Sequence, residues 1–282
     1  MPAFVFAGQG SQRRGMGRDL FPLFPDHVRA VDRILGYSIE ELCVDDDGSR
    51  LWQTQYAQPA IYVVNVLAYL RFQADTGITP SCLLGHSLGE YCALHLAGAF
   101  DFETGLELVA ERGRLMAADG SGAMAAVIGL SVEDAHRVAG DWPGGGVWIA
   151  NHNAPDEVVV SGHAEMITAA KRHFLDAGAS TYVPLQVSGP FHTPLMRSAQ
   201  TEFETVLSRT PLSAPRIPVI SNLTARPYLD RGVRDTLAAQ ISNPVRWVDS
   251  ITLLLGRGET RMIEIGPKRV LTPLIGKIAA AA

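Results

Sequence analysis

Five residues, Gly85-His86-Ser87-Leu88-Gly89, constrain this chain more than any other stretch. They stand between the short apolar run Cys82-Leu83-Leu84 and the Ala- and Leu-rich segment from Glu90 to Gly98. The pattern G-x-S-x-G alone occurs by chance. With an apolar strand before it and a helix after it, it describes a sharp turn that lifts the serine hydroxyl out of the chain. Glycines permit such a turn because they lack a Cβ. The helix that starts beside the serine presents backbone N–H groups without intrahelical partners, which favour a developing negative charge, and Leu88 N–H is the nearest of them. The residues point to Ser87 as a nucleophile; the plainer alternative is a helix-capping serine in a glycine-rich turn.

A strand–turn–helix unit implies neighbours of the same kind, and the rest of the chain supplies them. Residues 3–7 predict a buried strand, 17–36 and 58–74 predict helices, and Phe102 to Ala118 predicts a third helix beyond the serine segment. Alternation of this kind predicts an α/β fold with a parallel sheet. The pattern then changes. Ala123–Gly129, Val147–Ala150, Glu157–Ser161 and Thr181–Val187 predict strands, with helices at Val132–Ala139 and Ala164–Ala177, and Asn151-His152-Asn153-Ala154-Pro155 predicts a turn. The order β-α-β-β-α-β is the ferredoxin-like arrangement. The expectation is a large α/β-hydrolase-like domain formed by 1–122 and 189–282, interrupted by a small ferredoxin-like insert at 123–188. Ile217–Ser221 and Arg261–Ile265 predict late strands of the large domain, and Ala279–Ala282 is set aside.

Composition narrows the class. With 47% hydrophobic residues in 282, the chain can bury a sizeable core. A formal net charge of −5 argues against a nucleic-acid-binding surface. Cys43, Cys82 and Cys92 are few and not spaced as a metal or disulfide framework, which predicts a reducing, cytoplasmic setting. No apolar stretch reaches membrane-spanning length.

A serine nucleophile needs a base. Of the histidines at 27, 86, 95, 136, 152, 163, 173 and 192, the last stands out. It closes Val187-Ser188-Gly189-Pro190-Phe191-His192, a strand followed by a glycine-proline turn, at the predicted return to the large domain. Position alone leaves it open between general base and structural loop histidine. Arg112 is the other anomaly. It lies four residues after Leu108, three after Val109 and four before Met116, on the apolar stripe of its helix, while Glu103, Glu107, Glu111 and Arg114 take the polar face. An inward guanidinium stays charged and needs acceptors. A core Asp or Glu would satisfy it, and so would a free substrate carboxylate matched to its planar fork.

These motifs together resemble the malonyl-CoA:acyl carrier protein transacylase family, which includes the enzymes of fatty-acid synthesis and the free-standing acyltransferases of polyketide synthases. The resemblance rests on Phe6-Ala7-Gly8-Gln9-Gly10-Ser11-Gln12, Gln58-Pro59-Ala60, Gly85 to Tyr91, Arg112-Gly113, Asn151 to Pro155, Gly189 to His192, Asn243-Pro244-Val245-Arg246-Trp247 and Glu264-Ile265-Gly266-Pro267. It implies that Ser87 is the nucleophile, His192 its base, and the N–H groups of Gln9 and Leu88 the oxyanion hole. It implies that Arg112 binds the malonyl carboxylate, that a backbone carbonyl near Arg246 orients His192, and that Gln58 and Asn153 line the pocket. Leu88 and Phe191 resemble malonyl-selective members, a phenylalanine there crowding an α-methyl branch. The expected reaction moves malonyl from malonyl-CoA to the phosphopantetheine thiol of an acyl carrier protein, by a monomer with no metal or redox cofactor. A same-family enzyme acting on a larger carrier-bound acyl group, as transferase or editing hydrolase, is the alternative. Lys171, Arg172, Lys268, Arg269 and Lys277 are candidate docking charges for an acidic carrier protein.

Overall fold

A computed structural model describes residues 1–46, 49–118, 120–187, 189–229 and 232–282. Two sheets organise it. Four parallel strands, β1 (Ala3–Phe6), β2 (Leu83–Gly85), β7 (Val219–Ile220) and β8 (Met262–Ile265), lie in the order β7-β2-β1-β8. The register sets Phe4 opposite Leu83 and Ile263, and Leu83 opposite Val219. Both faces are covered, which is why these strands read as unbroken apolar runs. On one face Phe4, Phe6 and Leu83 pack with α3 (Thr54–Thr76), α4 (Gly89–Leu96) and α5 (Phe102–Ala118). On the other, Ala3, Val5 and Leu84 pack with Trp247, Ile251 and Leu254 of α10 (Trp247–Gly256) and Leu271 and Ile278 of α11 (Leu271–Ala281).

The second sheet is antiparallel, ordered β4-β5-β3-β6, from β3 (Gly122–Ile128), β4 (Val147–Ala154), β5 (Glu157–His163) and β6 (Thr181–Pro184). With α6 (Val132–Gly140) and α7 (Ala164–Asp176) it encloses its own core of Ala125, Val127, Val158, Val160, Ile167 and Phe174. It joins the rest of the molecule where β4 meets the segment before α10: Val245 N–H donates to Ala150 O at 2.8 Å and His152 N–H to Val245 O at 2.9 Å.

Several expected elements differ. The helix foreseen at 17–36 is turns and a short 3-10 segment (Phe21–Leu23), followed by α1 (Pro25–Leu35), because Pro22 and Pro25 each suit a helix start and interrupt a helix interior. A further short helix, α2 (Ile39–Val44), follows, capped by Ser38. The helix foreseen from 58 begins at Thr54, with Pro59 inside its early turns. The turn foreseen at 151–155 is mostly strand: β4 continues through Asn151 to Ala154 with register shifts, and β5 begins at Glu157. The strand foreseen at 181–187 stops at Pro184. Ser188, which closes the predicted insert, lies outside the described residues. Four α-helices follow that were not among the expected elements, α8 (Arg197–Arg209), α9 (Val233–Gln240), α10 and α11, and Ala279 to Ala281 continue α11 rather than standing apart. Among the described residues no helix is long and apolar enough to cross a membrane.

Candidate active site

In an open parallel sheet the carboxyl ends of the strands face a common crevice. Here β1 delivers Gln9 to it, β2 delivers Ser87 and β7 delivers Asn222. The Ser87 turn is extremely tight. A Cβ on Gly85 would lie 1.8 Å from the Gly89 carbonyl carbon, one on Gly89 would lie 2.0 Å from Phe6 O, and one on Gly8 would lie 2.4 Å from His86 O. Glycine at these positions lets β1, β2 and α4 close on one another. Ser87 itself sits at φ 51°, in the left-handed region that costs a non-glycine residue roughly 1 kcal/mol or more. Side-chain amides hold it there. Asn222 Oδ1 accepts from Ser87 N–H at 2.6 Å, Asn222 Nδ2 donates to Gly85 O at 2.7 Å, and Gln240 Nε2 donates to Ser87 O at 3.0 Å.

Ser87 Oγ and His192 Nε2 are 2.8 Å apart. His192 Nδ1 faces the main-chain oxygens of Gln240 (2.9 Å) and Asn243 (3.2 Å). Two carbonyls can only accept, so Nδ1 carries the proton and Nε2 offers its lone pair to the serine. Burial, with help from the Arg112 charge, lowers the His192 pKa to about 3. The imidazole is therefore neutral and basic-side ready near pH 7. The orienting carbonyls are those of Gln240 and of Asn243, the latter in the segment around Arg246 from which one was expected; the Arg246 carbonyl itself accepts from Ser250. His192 also sits at a positive φ, 61°, just after the Gly189-Pro190 turn.

Arg112 is 1% exposed, as its place on the stripe of α5 predicts. It reaches the same spot: Nη2 donates to Ser87 Oγ at 3.1 Å and to Gln240 Oε1 at 2.9 Å, and Nη1 donates to Gln58 Oε1 at 2.6 Å. Its guanidinium lies over the Tyr91 ring, 5.4 Å from the centroid. Among the described residues no carboxylate pairs with it within ion-pair distance. Glu90, fully buried nearby, accepts from the Tyr228 hydroxyl and from Asn222 N–H, and burial raises its pKa to about 7. Gly113 lets α5 approach α3, a Cβ there meeting Gln55 Cα at 3.1 Å, and this brings Arg112 beside Gln58.

The backbone N–H groups of Gln9 and Leu88 have no acceptor in the hydrogen-bond pattern of the described residues. The Gln9 side chain is fixed from behind, Thr54 Oγ1 donating to its Oε1 at 2.6 Å. A cavity of about 80 Å³ joins Gln9, Gln58, Ser87, Leu88, Arg112, Phe191 and His192. An outer cleft of about 500 Å³ adjoins it through Gln9, His86, Asn151, Leu185 and Val187. Asn153 lies in that outer cleft, its Oδ1 2.9 Å from His86 Nε2, while Asn151 on the same strand borders both spaces. Of the candidate surface charges, Lys277 is engaged by Asp156 and Glu157 and Arg172 by Asp176, while Lys268 and Arg269 are exposed just before Val270 and Leu271 of the cleft wall. The pattern of residues did not single out Asn222 or Gln240, which lie outside every motif, and gave no role to Glu90, which falls inside the Gly85 to Tyr91 motif.

Residues 3–278 match the acyl transferase domain family. The chain is 47% identical over 279 residues to the polyketide biosynthesis malonyl CoA-acyl carrier protein transacylase PksC of Bacillus subtilis, covering 99% of this chain and 97% of PksC. It is 49% identical over 278 residues to the polyketide biosynthesis protein ThaF of Burkholderia thailandensis, but spans only 24% of that longer protein. Among solved structures, a malonyl CoA-acyl carrier protein transacylase from Burkholderia pseudomallei superposes with a TM-score of 0.95 at 45% identity, covering 100% of this chain and 99% of that one. A malonyl-transacylase solved with its type II polyketide synthase acyl carrier protein superposes with a TM-score of 0.94 at 36% identity, covering 99% and 93%.

Proposed function

This chain belongs to the acyl transferase domain family, among the malonyl CoA-acyl carrier protein transacylases, and on that footing we propose that it moves malonyl from coenzyme A to the phosphopantetheine thiol of an acyl carrier protein through an acyl-serine. The observation that carries the word malonyl is Arg112. A buried guanidinium faces the nucleophile and is held by two uncharged amides, so its charge stays available for an anionic acyl group. The small inner cavity supports a short acyl group over a long one.

The steps follow from the geometry. His192 Nε2 takes the Ser87 proton as Oγ attacks the thioester carbonyl. The oxyanion rests on the N–H groups of Gln9 and Leu88. The C–S bond breaks and coenzyme A leaves as the thiol, taking the proton from His192. The carrier-protein thiol then enters, gives its proton to His192 and attacks the acyl-serine, and Ser87 recovers a proton from His192 as the ester bond breaks. Between the two halves Arg112 holds the acyl carboxylate. On the protein side these steps use the side chains of Ser87, His192 and Arg112 and the backbone N–H groups of Gln9 and Leu88. We further propose a monomeric enzyme in a cytoplasmic setting, the latter supported by three free, buried cysteines. The element order around the antiparallel sheet supports a ferredoxin-like description of 123–188, and the strand–Ser87–helix unit supports a hydrolase-like description of the rest. Lys268 and Arg269, beside the cleft, are the docking charges we favour.

Intact-protein mass spectrometry after incubation with malonyl-CoA, methylmalonyl-CoA and acetyl-CoA tests the proposal. A malonyl adduct that disappears in Ser87→Ala is expected, and Arg112→Ala is expected to slow malonyl loading far more than acetyl loading. No adduct with any of the three would overturn the coenzyme A donor. Equal losses for malonyl and acetyl in Arg112→Ala would overturn the carboxylate role.

A further inference from the structure

Gln240 touches Ser87, His192 and Arg112, yet it lies at the end of α9, 128 residues from Arg112. Its side chain is 1% exposed with the rest of the residue. Oε1 accepts from Arg112 Nη2 at 2.9 Å, Nε2 donates to Ser87 O at 3.0 Å, and the main-chain oxygen faces His192 Nδ1 at 2.9 Å. We infer that Gln240 is a positioning residue for acyl selection: its uncharged amide holds the Arg112 fork available to an anionic acyl group and ties that fork to the strained turn bearing Ser87. The inference rests on the transacylase reading above and assigns it a further determinant.

The argument is electrostatic and geometric. A buried arginine must be solvated by something. A carboxylate at position 240 would do so more strongly, but it would form an ion pair in a low-dielectric pocket, and an incoming acyl carboxylate would have to displace it. An amide offers one oxygen to the guanidinium without cancelling its charge. The amide's other end is committed as well. Ser87 at φ 51° has its N–H held by Asn222 and its C=O held by Gln240, so the turn is gripped from both sides. Loss of the Gln240 grip frees the turn to relax, and the Leu88 N–H follows it. One side chain therefore acts on selection through Arg112 and on rate through Ser87, and these two effects separate by substrate. Glu90, the buried carboxylate nearest the arrangement, accepts from the Tyr228 hydroxyl and Asn222 N–H and also faces Gln240 and the Arg112 charge, but it makes no direct ion pair with Arg112, so the fork itself is held by the Gln240 and Gln58 amides.

The test compares wild type, Gln240→Glu and Gln240→Met, each first checked for a native melting transition. Single-turnover loading of Ser87 from malonyl-CoA and from acetyl-CoA is followed at pH 8 by quenched intact-mass measurement. In Gln240→Glu the turn is loosened for both donors, while Arg112 is neutralised for malonyl alone. The malonyl-to-acetyl rate ratio is expected to fall at least about 10-fold, a size typical of losing one charged recognition contact. A ratio within two-fold of wild type would overturn the inference. Gln240→Met keeps the volume and removes both polar contacts, and is expected to slow both donors; wild-type rates with both would overturn the inference even if Gln240→Glu did not fold. Wild type that takes no malonyl from malonyl-CoA would instead strike the transacylase reading itself.

Discussion

The neutrality of His192 sets a pH dependence that an ordinary histidine would not show. Burial, then the Arg112 charge, lowers its pKa from 6.5 to about 3. At pH 5 a histidine at 6.5 would be only about 3% neutral, so a rate that needs the free base would drop roughly 30-fold between pH 8 and pH 5. With His192 at about 3 nearly all of it remains the free base at pH 5, so no such fall is expected. The assay is kcat/KM for Ser87 loading by malonyl-CoA between pH 4.5 and 8, the range in which the donor's own carboxylate stays ionised. A flat acid side is expected, and an acid limb with a midpoint near 6.5 would refute the reasoning. Glu90, raised to about 7 by burial, titrates in the same window, so the profile is repeated in Glu90→Gln. A limb that vanishes there belongs to Glu90; one that persists belongs to His192. Arg112→Ala removes a cause of the lowering, and the His192 limb should then move upward toward neutral pH.

The same two groups carry opposite signs in stability. The fold favours neutral His192, so its contribution is complete above pH 6.5 and is lost as pH falls toward 3, at about 1.4 kcal/mol per pH unit. The fold also favours protonated Glu90, whose contribution is complete below pH 4.5 and is lost as pH rises through 7. Between 4.5 and 6.5 the two slopes oppose each other. Glu90→Gln should therefore lose stability more steeply than wild type on acidification across that range, as denaturant midpoints would show. Equal slopes would mean that Glu90 does not titrate there.

Three further outcomes are expected. Gly85→Ala places a methyl 1.8 Å from the Gly89 carbonyl carbon and should cost at least about 3 kcal/mol, read as a lowered melting temperature or insoluble expression. Phe191→Ala enlarges the inner cavity and should raise methylmalonyl loading relative to malonyl by about 10-fold, read by competition and intact mass; an unchanged ratio would remove Phe191 from acyl selection. Lys268→Glu combined with Arg269→Glu should slow malonyl transfer to an acidic carrier protein about 10-fold at low salt, while loading from a malonyl thioester of N-acetylcysteamine, which carries no phosphates, stays unchanged. Equal carrier-transfer rates would place docking elsewhere.

Local sequence carried the working fold a long way because its signals are backbone demands. The glycines at 85 and 89 are there because β1, β2 and α4 leave no room for a Cβ, and that crowding is written in five consecutive residues. The stripe of α5 put Arg112 inside for a similar reason: helical spacing alone fixes which face is buried, and the arginine departs from it in plain view. The misread segments are ones where tertiary pairing overrode a local cue. Asn151 to Ala154 have turn composition, yet β5 and Val245 supply partners for their backbone and β4 runs on. After residue 189 the reason differs: α8 carries a legible stripe, Ala199, Phe203 and Leu207 buried at four-residue spacing, and no tertiary override accounts for its absence from the expected elements.

The site itself divides along the same line. Ser87, His192 and Arg112 are each odd within their own segment: a serine in a pinched turn, a histidine after glycine-proline, a charge on an apolar stripe. Gln240 and Asn222 are ordinary residues in their segments, one at a helix end and one after a short strand, and nothing local marks them. Their importance exists only once β7 and α9 bring them to the Ser87 turn, 135 and 153 residues away in sequence. The chemical groups of this site were thus legible because reactive side chains need unusual settings. The amides that hold those groups were not, because holding requires only a neutral polar group at the right point in space. It follows that Asn222→Leu, a change invisible to any motif, should lower kcat for malonyl and acetyl loading alike with little change in KM, since it releases the Ser87 N–H and leaves Arg112 in place. A loss confined to malonyl would mean instead that Asn222 acts through Arg112, and would contradict the division of labour between the two amides.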